Sequence, residues 1–265
     1  MIPYAFTYHR AKSVAEAERL LDGEAQLLAG GQSLIPAMKT RLAAPPALVD
    51  ISGLRELAFI RSEGDDLVIG ANATHFQVAS NAEVKRLLPA LGYLAGMIGD
   101  PAVRYRGTLG GSLANNDPAA DYPAAALALA ARIKTNRRQV DADDFFTGLF
   151  ATALEPGEII LEARFALPQR AGYAKFRNPA SRYALAGVFV AQGKKGVRVV
   201  ATGAGACVFR LSQMERALEK NFGPAALAGI GVDDGALNSD IHASAEYRAH
   251  LVGVMARRAV ESALA

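Results

Sequence analysis

Apolar positions along this chain switch between helical spacing and short continuous runs, so the sequence predicts helices interleaved with buried strands. Val14, Ala17, Leu20 and Leu21 share one helical face behind Ser13-x-x-Glu16, a capping-box spacing, and that helix should reach about Asp22. Thr74-x-x-Gln77 and Ser80-x-x-Glu83 repeat the spacing. The second introduces Val84, Leu87, Leu88, Leu91, Leu94 and Ile98 at helical intervals, with Pro89 set to kink or split the helix. Ser244 opens a last helix that turns Tyr247, Leu251, Val254 and Met255 inward. Between these, residues 26–29, 47–51, 132–136 and 159–167 read as strands. Residues 57–60 with 67–71, and 183–192 with 197–202, read as hairpins around Glu63-Gly64-Asp65-Asp66 and Gly193-Lys194-Lys195-Gly196. Ser212-x-x-Glu215 marks one more helix start, and the whole defines an α+β fold.

Breaks in the pattern divide the chain. Residues 52–56 close a small first subdomain, and the linker-like stretch 168–172 sets off a C-terminal unit. The expected domains are 1–168, with subdomains of about 1–53 and 54–168, and 169–265.

Composition narrows the function classes. With 51% hydrophobic and 21% charged residues the chain reads as globular, and no apolar run approaches the ~20 residues of a membrane span. The first residues lack the basic-then-apolar order of a secretory signal, so a cytoplasmic location is expected. Cys207 is the one cysteine, which excludes an internal disulfide and any cysteine-held iron–sulfur or zinc site within this chain. His9, His75, His242 and His250 show no ligand spacing and read as surface or core residues. A net charge of +3 from dispersed Lys and Arg argues against a nucleic-acid partner.

Two stretches carry binding chemistry. Residues 99–123, GDPAVRYRGTLGGSLANNDPAADYP, read as a long loop that mixes a Gly-Gly pair with hydroxyls, asparagines and the carboxylates Asp117 and Asp121. Glycines let backbone N–H groups approach an anion, and a carboxylate accepts from a polyol hydroxyl, so the mixture suits a diphosphate beside a sugar-like chain. Ala29-Gly30-Gly31-Gln32-Ser33-Leu34 repeats the chemistry between a strand and a short helix opening at Ser33. Each Gly-Gly pair alone is also ordinary turn punctuation, and Asp121 is a natural N-cap for a helix over 123–131. Gly203-Ala204-Gly205 does not complete a dinucleotide fingerprint, because Val208 stands where its third glycine belongs.

With both loops placed, the chain resembles the FAD-binding medium subunit of molybdenum hydroxylases, the carbon monoxide dehydrogenase and xanthine dehydrogenase family. The resemblance runs end to end through AGGQSL at 29–34, TLGGS at 108–112, DPAADYPAA at 117–125, PGEIILEARF at 156–165, KFRNPASRYA at 175–184 and LNSDIHASAEYRAHL at 237–251. It implies a vanillyl-alcohol-oxidase-type FAD-binding fold: two α/β subdomains, then a C-terminal three-stranded antiparallel sheet with helices. It also implies site residues. Ala29, Gly30, Gly31, Gln32, Ser33 and Leu34, with Thr108, Leu109, Gly110, Gly111 and Ser112, would hold the FAD pyrophosphate. Asp121 would accept from a ribityl or ribose hydroxyl, and Ile160 would sit near the flavin edge. Lys175 or Arg177 would face the pyrimidine end, and Tyr183 would cover one face of the ring. Arg104 and Arg106 match no family flavin position and read as solvated or subunit-facing. TLGGS departs from the family's frequent TIGGN at Leu109 and Ser112, and Gln32 stands where a His or Cys would be needed for a covalent link, so FAD should be non-covalent.

The implied activity is electron transfer with no catalytic acid or base in this chain. A large molybdenum-cofactor subunit would oxidise substrate, a small [2Fe–2S] subunit would relay electrons, and FAD here would pass them to an outside acceptor, in a dimer of heterotrimers. Two rivals remain at this stage. A self-standing FAD oxidoreductase would show substrate-dependent flavin bleaching by the isolated chain. A non-redox scaffold would stay colourless and show no melting shift with FAD.

Overall fold

The computed structural model describes residues 2–265. Its N-terminal part is a parallel sheet of Thr7–Arg10, Ala47–Asp50 and Gln26–Leu28, in that spatial order. The helix Val14–Leu20 is capped by Ser13, whose hydroxyl accepts from the Glu16 N–H at 3.2 Å. Ala17, Val49, Ile51, Leu54 and Leu57 bury their side chains beneath it. Thr7–Arg10 was not expected as a strand. It lies at the sheet edge with little burial, so it lacks the apolar run that marks the central strand.

A five-stranded antiparallel sheet follows, ordered Ile60–Glu63, Asp66–Gly70, Ile160–Ala166, Arg132–Thr135, Gln139–Asp141. The segment between its second and fourth strands folds as helices packed on one face, where Leu67, Ile69, Ile133, Ala163 and Phe165 meet Leu88, Leu91, Leu94, Leu109 and Leu113. The opposite face carries a cross-strand ladder of ion pairs, with Arg164 bridging Glu63 at 2.5 Å and Glu162 at 2.8 Å. Alternation of the two sets along Ile160–Ala166 is the period-2 signature of a sheet covered on one side only.

Within the helices, the Thr74–Gln77 capping box forms as expected. The second start is shifted: Asn81, not Ser80, accepts from the Glu83 and Val84 N–H groups, and Ser80 ends the preceding helix. Pro89 splits the apolar run cleanly, standing at the first position of Pro89–Gly96, where its missing N–H has no cost. Residues 99–123 are a larger correction. They hold two helices, Pro101–Arg106 and Leu109–Asn115, capped by the Asp100 carboxylate on the Val103 N–H and by the Thr108 hydroxyl on the Gly111 N–H. The Asp-Pro pair is itself a helix start, and the density of glycine and asparagine around it masked that signal.

The C-terminal sheet has four antiparallel strands: Arg170–Arg177, Ala184–Gly193, Gly196–Thr202 and the two-residue edge Phe209–Arg210. The three long ones match the expectation; the fourth is too short to leave a pattern. Helices Ser212–Lys220 and Ala245–Leu264 cover one face through Leu218, Leu251, Met255 and Val260. The other face presents Tyr173, Phe189 and Val200 to the helix Tyr122–Ala128. Burial on both faces explains the unbroken apolar run of Ala184–Gly193. Ser244 caps its helix, but Tyr247 is 44% exposed instead of inward. Ser212 makes no cap bond, because it is the first helical residue and Leu211 holds the cap position; the Glu215 carboxylate accepts from the Val199 N–H and from Arg210 instead of reaching back.

Candidate functional site

A cleft of about 650 Å³ runs between the N-terminal sheet, the central sheet with its helices, and the C-terminal sheet. That volume lies within the range of cofactor sites. Ala29, Gly30, Gly31, Gln32, Ser33, Leu34, Thr108, Gly110, Gly111, Ser112, Asp121, Ile160 and Tyr183 all line it. The two Gly-Gly loops touch. A Cβ on Gly30 would fall 2.1 Å from the Arg106 carbonyl oxygen and 2.8 Å from the Gly107 Cα, so only glycine allows this approach.

The loops are chemically unequal, which their similar sequences conceal. In the second, every N–H from Leu109 to Ser112 is already used: Leu109 donates to the Ala73 carbonyl, Gly110 to that of Ala71, and Gly111 and Ser112 to Thr108. Gly110 serves packing, since a Cβ there would stand 2.6 Å from that of Ala71. In the first, the N–H groups from Gly30 to Leu34 meet no protein acceptor among the described residues. Both following helices are short, Leu34–Lys39 and Leu109–Asn115, so the helix-dipole attraction expected at Ser33 is minor beside these free donors.

Asp121 occupies the N-cap position of Tyr122–Ala128 but makes no cap hydrogen bond, contrary to the sequence expectation. Its carboxylate instead accepts from the Tyr173 hydroxyl and, at 2.9 Å, from Lys175 Nζ, with the two charged side chains 4% and 0% exposed. A carboxylate has about four acceptor positions, so lone pairs remain for a hydroxyl in the cleft. Lys175 itself does not line the cleft; its ammonium is spent on Asp121 and the Met97 carbonyl. Arg177 is exposed and lies outside it, and Leu109 is core. Arg104, read from sequence as solvated or subunit-facing, donates to the carbonyls of Ile98 and Gly99. Tyr183 stands at the mouth, 45% exposed, where burial and then the Asp117 and Asp121 carboxylates push its phenol pKa up.

Sequence reading passed over several lining residues. Asn72 donates to the Ile51 carbonyl at 2.7 Å and leaves its Oδ1 buried without a partner. His75 is buried beside the second loop. Glu158 follows the Pro156-Gly157 turn and is held by Arg138, Thr135 and the Glu155 N–H. No spacing rule singles these out, because the wall forms only when distant strands pair.

Hydrogen bonds from Arg138 first, then from the Glu155 N–H and Thr135, overcome burial and lower the Glu158 pKa from 4.5 to about 2. A depressed carboxylate stabilises fully above its unfolded pKa and loses that contribution as pH falls through the folded value. The melting temperature should therefore drop between pH 4.5 and 2, and Glu158→Gln should flatten that acid limb. An unchanged slope in the variant would assign the acid transition to other carboxylates.

Comparison with known proteins identifies what the cleft belongs to. Residues 4–169 match the model of the FAD binding domain in molybdopterin dehydrogenase. The carbon monoxide dehydrogenase medium chain of Afipia carboxidovorans is 38% identical over 288 residues, covering 100% of this chain and 99% of that one. The nicotine 6-hydroxylase medium subunit of Paenarthrobacter nicotinovorans is 34% identical, covering 98% and 97%. Among solved structures, carbon monoxide dehydrogenase from Hydrogenophaga pseudoflava, in a form lacking the Mo-pyranopterin moiety of its cofactor, superposes with a TM-score of 0.90 at 37% identity, covering 100% and 99%. The chain belongs to the family of FAD-binding medium subunits of molybdenum hydroxylases, and it is an oxidoreductase component of a multi-subunit enzyme. That sets aside the scaffold reading.

The residues fit FAD. Free N–H groups at Gly30–Leu34 suit a diphosphate, glycine at position 30 lets that loop pack directly on the second one, and Asp121 keeps carboxylate lone pairs on the cleft wall for a hydroxyl.

Proposed function

We propose that this chain holds FAD non-covalently along the cleft and serves as the exit for electrons from a molybdenum hydroxylase. The observation that carries the reading is the row of unspent N–H donors at Gly30–Leu34, in a loop that packs on the second Gly-Gly loop and lines the same cleft. Gly30, Gly31, Gln32, Ser33 and Leu34 would hold the diphosphate, with Thr108, Gly111 and Ser112 shaping the opposite jaw. Asp121 would accept from a ribityl or ribose hydroxyl, Ile160 would contribute apolar wall, and Tyr183 would cover the ring at the mouth. Lys175 acts at one remove, by fixing Asp121. Gln32 offers no nucleophile for a covalent bond.

Bound FAD supplies the redox chemistry, accepting electrons and releasing them to an external acceptor. The chain's own task is to bind, orient and shield it. The Asp121–Lys175 pair and Tyr173 link the cleft wall to the C-terminal sheet, and Thr202 donates to the Pro118 and Ala120 carbonyls, so the wall is fixed from behind. We extend the reading to the assembly: a large molybdenum-cofactor subunit and a small [2Fe–2S] subunit, paired as a dimer of heterotrimers in the cytoplasm. We also assign the vanillyl-alcohol-oxidase-type fold, with domains 1–168 and 169–265.

Purification of the complex should yield a yellow chain whose pigment, released by acid, is FAD; any other pigment would refute the assignment. Gly111→Val tests the second jaw. Its Cβ meets only Thr108 Oγ1, at 2.9 Å, and otherwise faces the cleft. The variant should fold and bind FAD at least about tenfold more weakly, a cost of about 1.4 kcal/mol. Wild-type affinity in a folded variant would remove this loop from the site.

A further inference from the structure

His75 is the one histidine in the cleft wall, and its two ring nitrogens have different surroundings. The residue is 5% exposed, at the first position of His75–Ser80, and its backbone N–H donates to the Gly107 carbonyl at 2.9 Å, which ties it to the second Gly-Gly loop. Nδ1 is fully buried and has no hydrogen-bond partner among the described residues. Nε2 points the other way, to Gly107, where a Cβ would stand 2.5 Å from it. Gly107 is also the residue whose Cα lies against Gly30, so Nε2 reaches the place where the two loops meet.

A neutral imidazole carries one proton, and a buried N–H without an acceptor is the rarer and costlier orphan in folded proteins. The proton therefore belongs on Nε2, leaving the buried Nδ1 as a bare lone pair. We propose that His75 is a fixed neutral donor, protonated on Nε2, which hydrogen-bonds a phosphate oxygen of the bound dinucleotide between the two Gly-Gly loops.

Charge considerations agree. Burial, and then the Arg104 guanidinium from the neighbouring helix, lower the His75 pKa from 6.5 to about 4. The other ring packed on it, Tyr122, lies at a centroid distance of 5.4 Å and is itself buried with its hydroxyl unpartnered, so no carboxylate there favours the charged form. A neutral donor keeps its role across the physiological range, where an imidazolium would lose its second proton. The donor also adds what the second loop lacks, since the N–H groups of Leu109 to Ser112 are all spent.

This inference rests on the FAD reading, and the experiment separates the two. FAD titration of the flavin-stripped, full-length chain in its complex should show binding by wild type, weakening by about tenfold or more in His75→Leu, and substantial recovery in His75→Gln, whose amide can restore a donor. Nitrogen-15 NMR of the wild-type imidazole should show the Nε2–H tautomer, no titration between pH 5 and 8, and a shift of Nε2 on adding FAD. Wild type that binds no FAD would overturn the functional reading and this proposal with it. Wild type that binds FAD while His75→Leu keeps full affinity, or an imidazole carrying its proton on Nδ1 with shifts untouched by FAD, would overturn the proposal alone. The NMR arm decides the matter even where His75→Leu does not fold.

Discussion

Gly30→Ala will give a chain that melts about 10 °C lower and no longer retains FAD through purification. The added Cβ would stand 2.1 Å from the Arg106 carbonyl oxygen, inside any permissible contact, and both partners are backbone, so no side chain can rotate away. The loops must separate. Overpacking of this kind costs about 3 kcal/mol or more, and the displaced loop is the one that lines the cleft and carries the unspent N–H groups. A thermal melt with and without FAD measures both effects. Gly148→Ala, at a glycine with nothing within 4 Å and no positive φ, controls for the replacement of glycine by alanine itself. Equal flavin retention in both variants would show that the Gly30 contact does not shape the site.

Lys175→Met will be comparably damaging for an electrostatic reason. Lys175 and Asp121 form an ion pair 2.9 Å apart with side chains 0% and 4% exposed. Removing the cation leaves the Asp121 carboxylate buried with the Tyr173 hydroxyl as its remaining side-chain partner. Breaking such a pair costs about 3–5 kcal/mol, whereas replacing both members together costs far less. Chemical denaturation of Lys175→Met, Asp121→Asn and the double variant should therefore be strongly non-additive, with the double variant more stable than Lys175→Met. Additive losses would mean that the two charges are not coupled. Because Asp121 lines the cleft, the same series should report on FAD affinity, with Asp121→Asn weakening it even where stability is recovered.

How far the chain announces this arrangement depends on the kind of signal. The Thr74 capping box, the strand Ile160–Ala166 and the hairpin Ala184–Thr202 follow from local periodicity and turn residues, which tertiary contacts reinforce. The edge strand Thr7–Arg10 and the pair Phe209–Arg210 are exposed or too short to carry a pattern. Two Gly-Gly loops as jaws of one cleft were legible because their chemistry repeats. Their inequality was not, since two of the second loop's donors are consumed by Ala71 and Ala73, which lie on a different segment, and the other two by Thr108. Asp121 was misread as a cap for the same reason: helix statistics cannot show that Tyr173 and Lys175, about fifty residues away, claim its carboxylate first. His75 reads from sequence only as a surface or core residue and Asn72 carries no local signal, and only their unpartnered atoms in the folded chain distinguish them.

The order of strands in the central sheet bears on when the cleft can exist at all. Ile160–Ala166 lies between Asp66–Gly70 and Arg132–Thr135, so the last of these three to leave the ribosome is the one that joins the other two. Before it arrives, each flanking strand has only its hairpin partner, an arrangement of marginal stability, and closing the long intervening chain slows the final pairing. The cleft wall at Ala71 is bonded to the Leu161 carbonyl, and Ile160 lines the cleft directly. Flavin capture thus waits for the strand that begins at residue 160, and a chain truncated before it has no site to offer, however complete its two Gly-Gly loops.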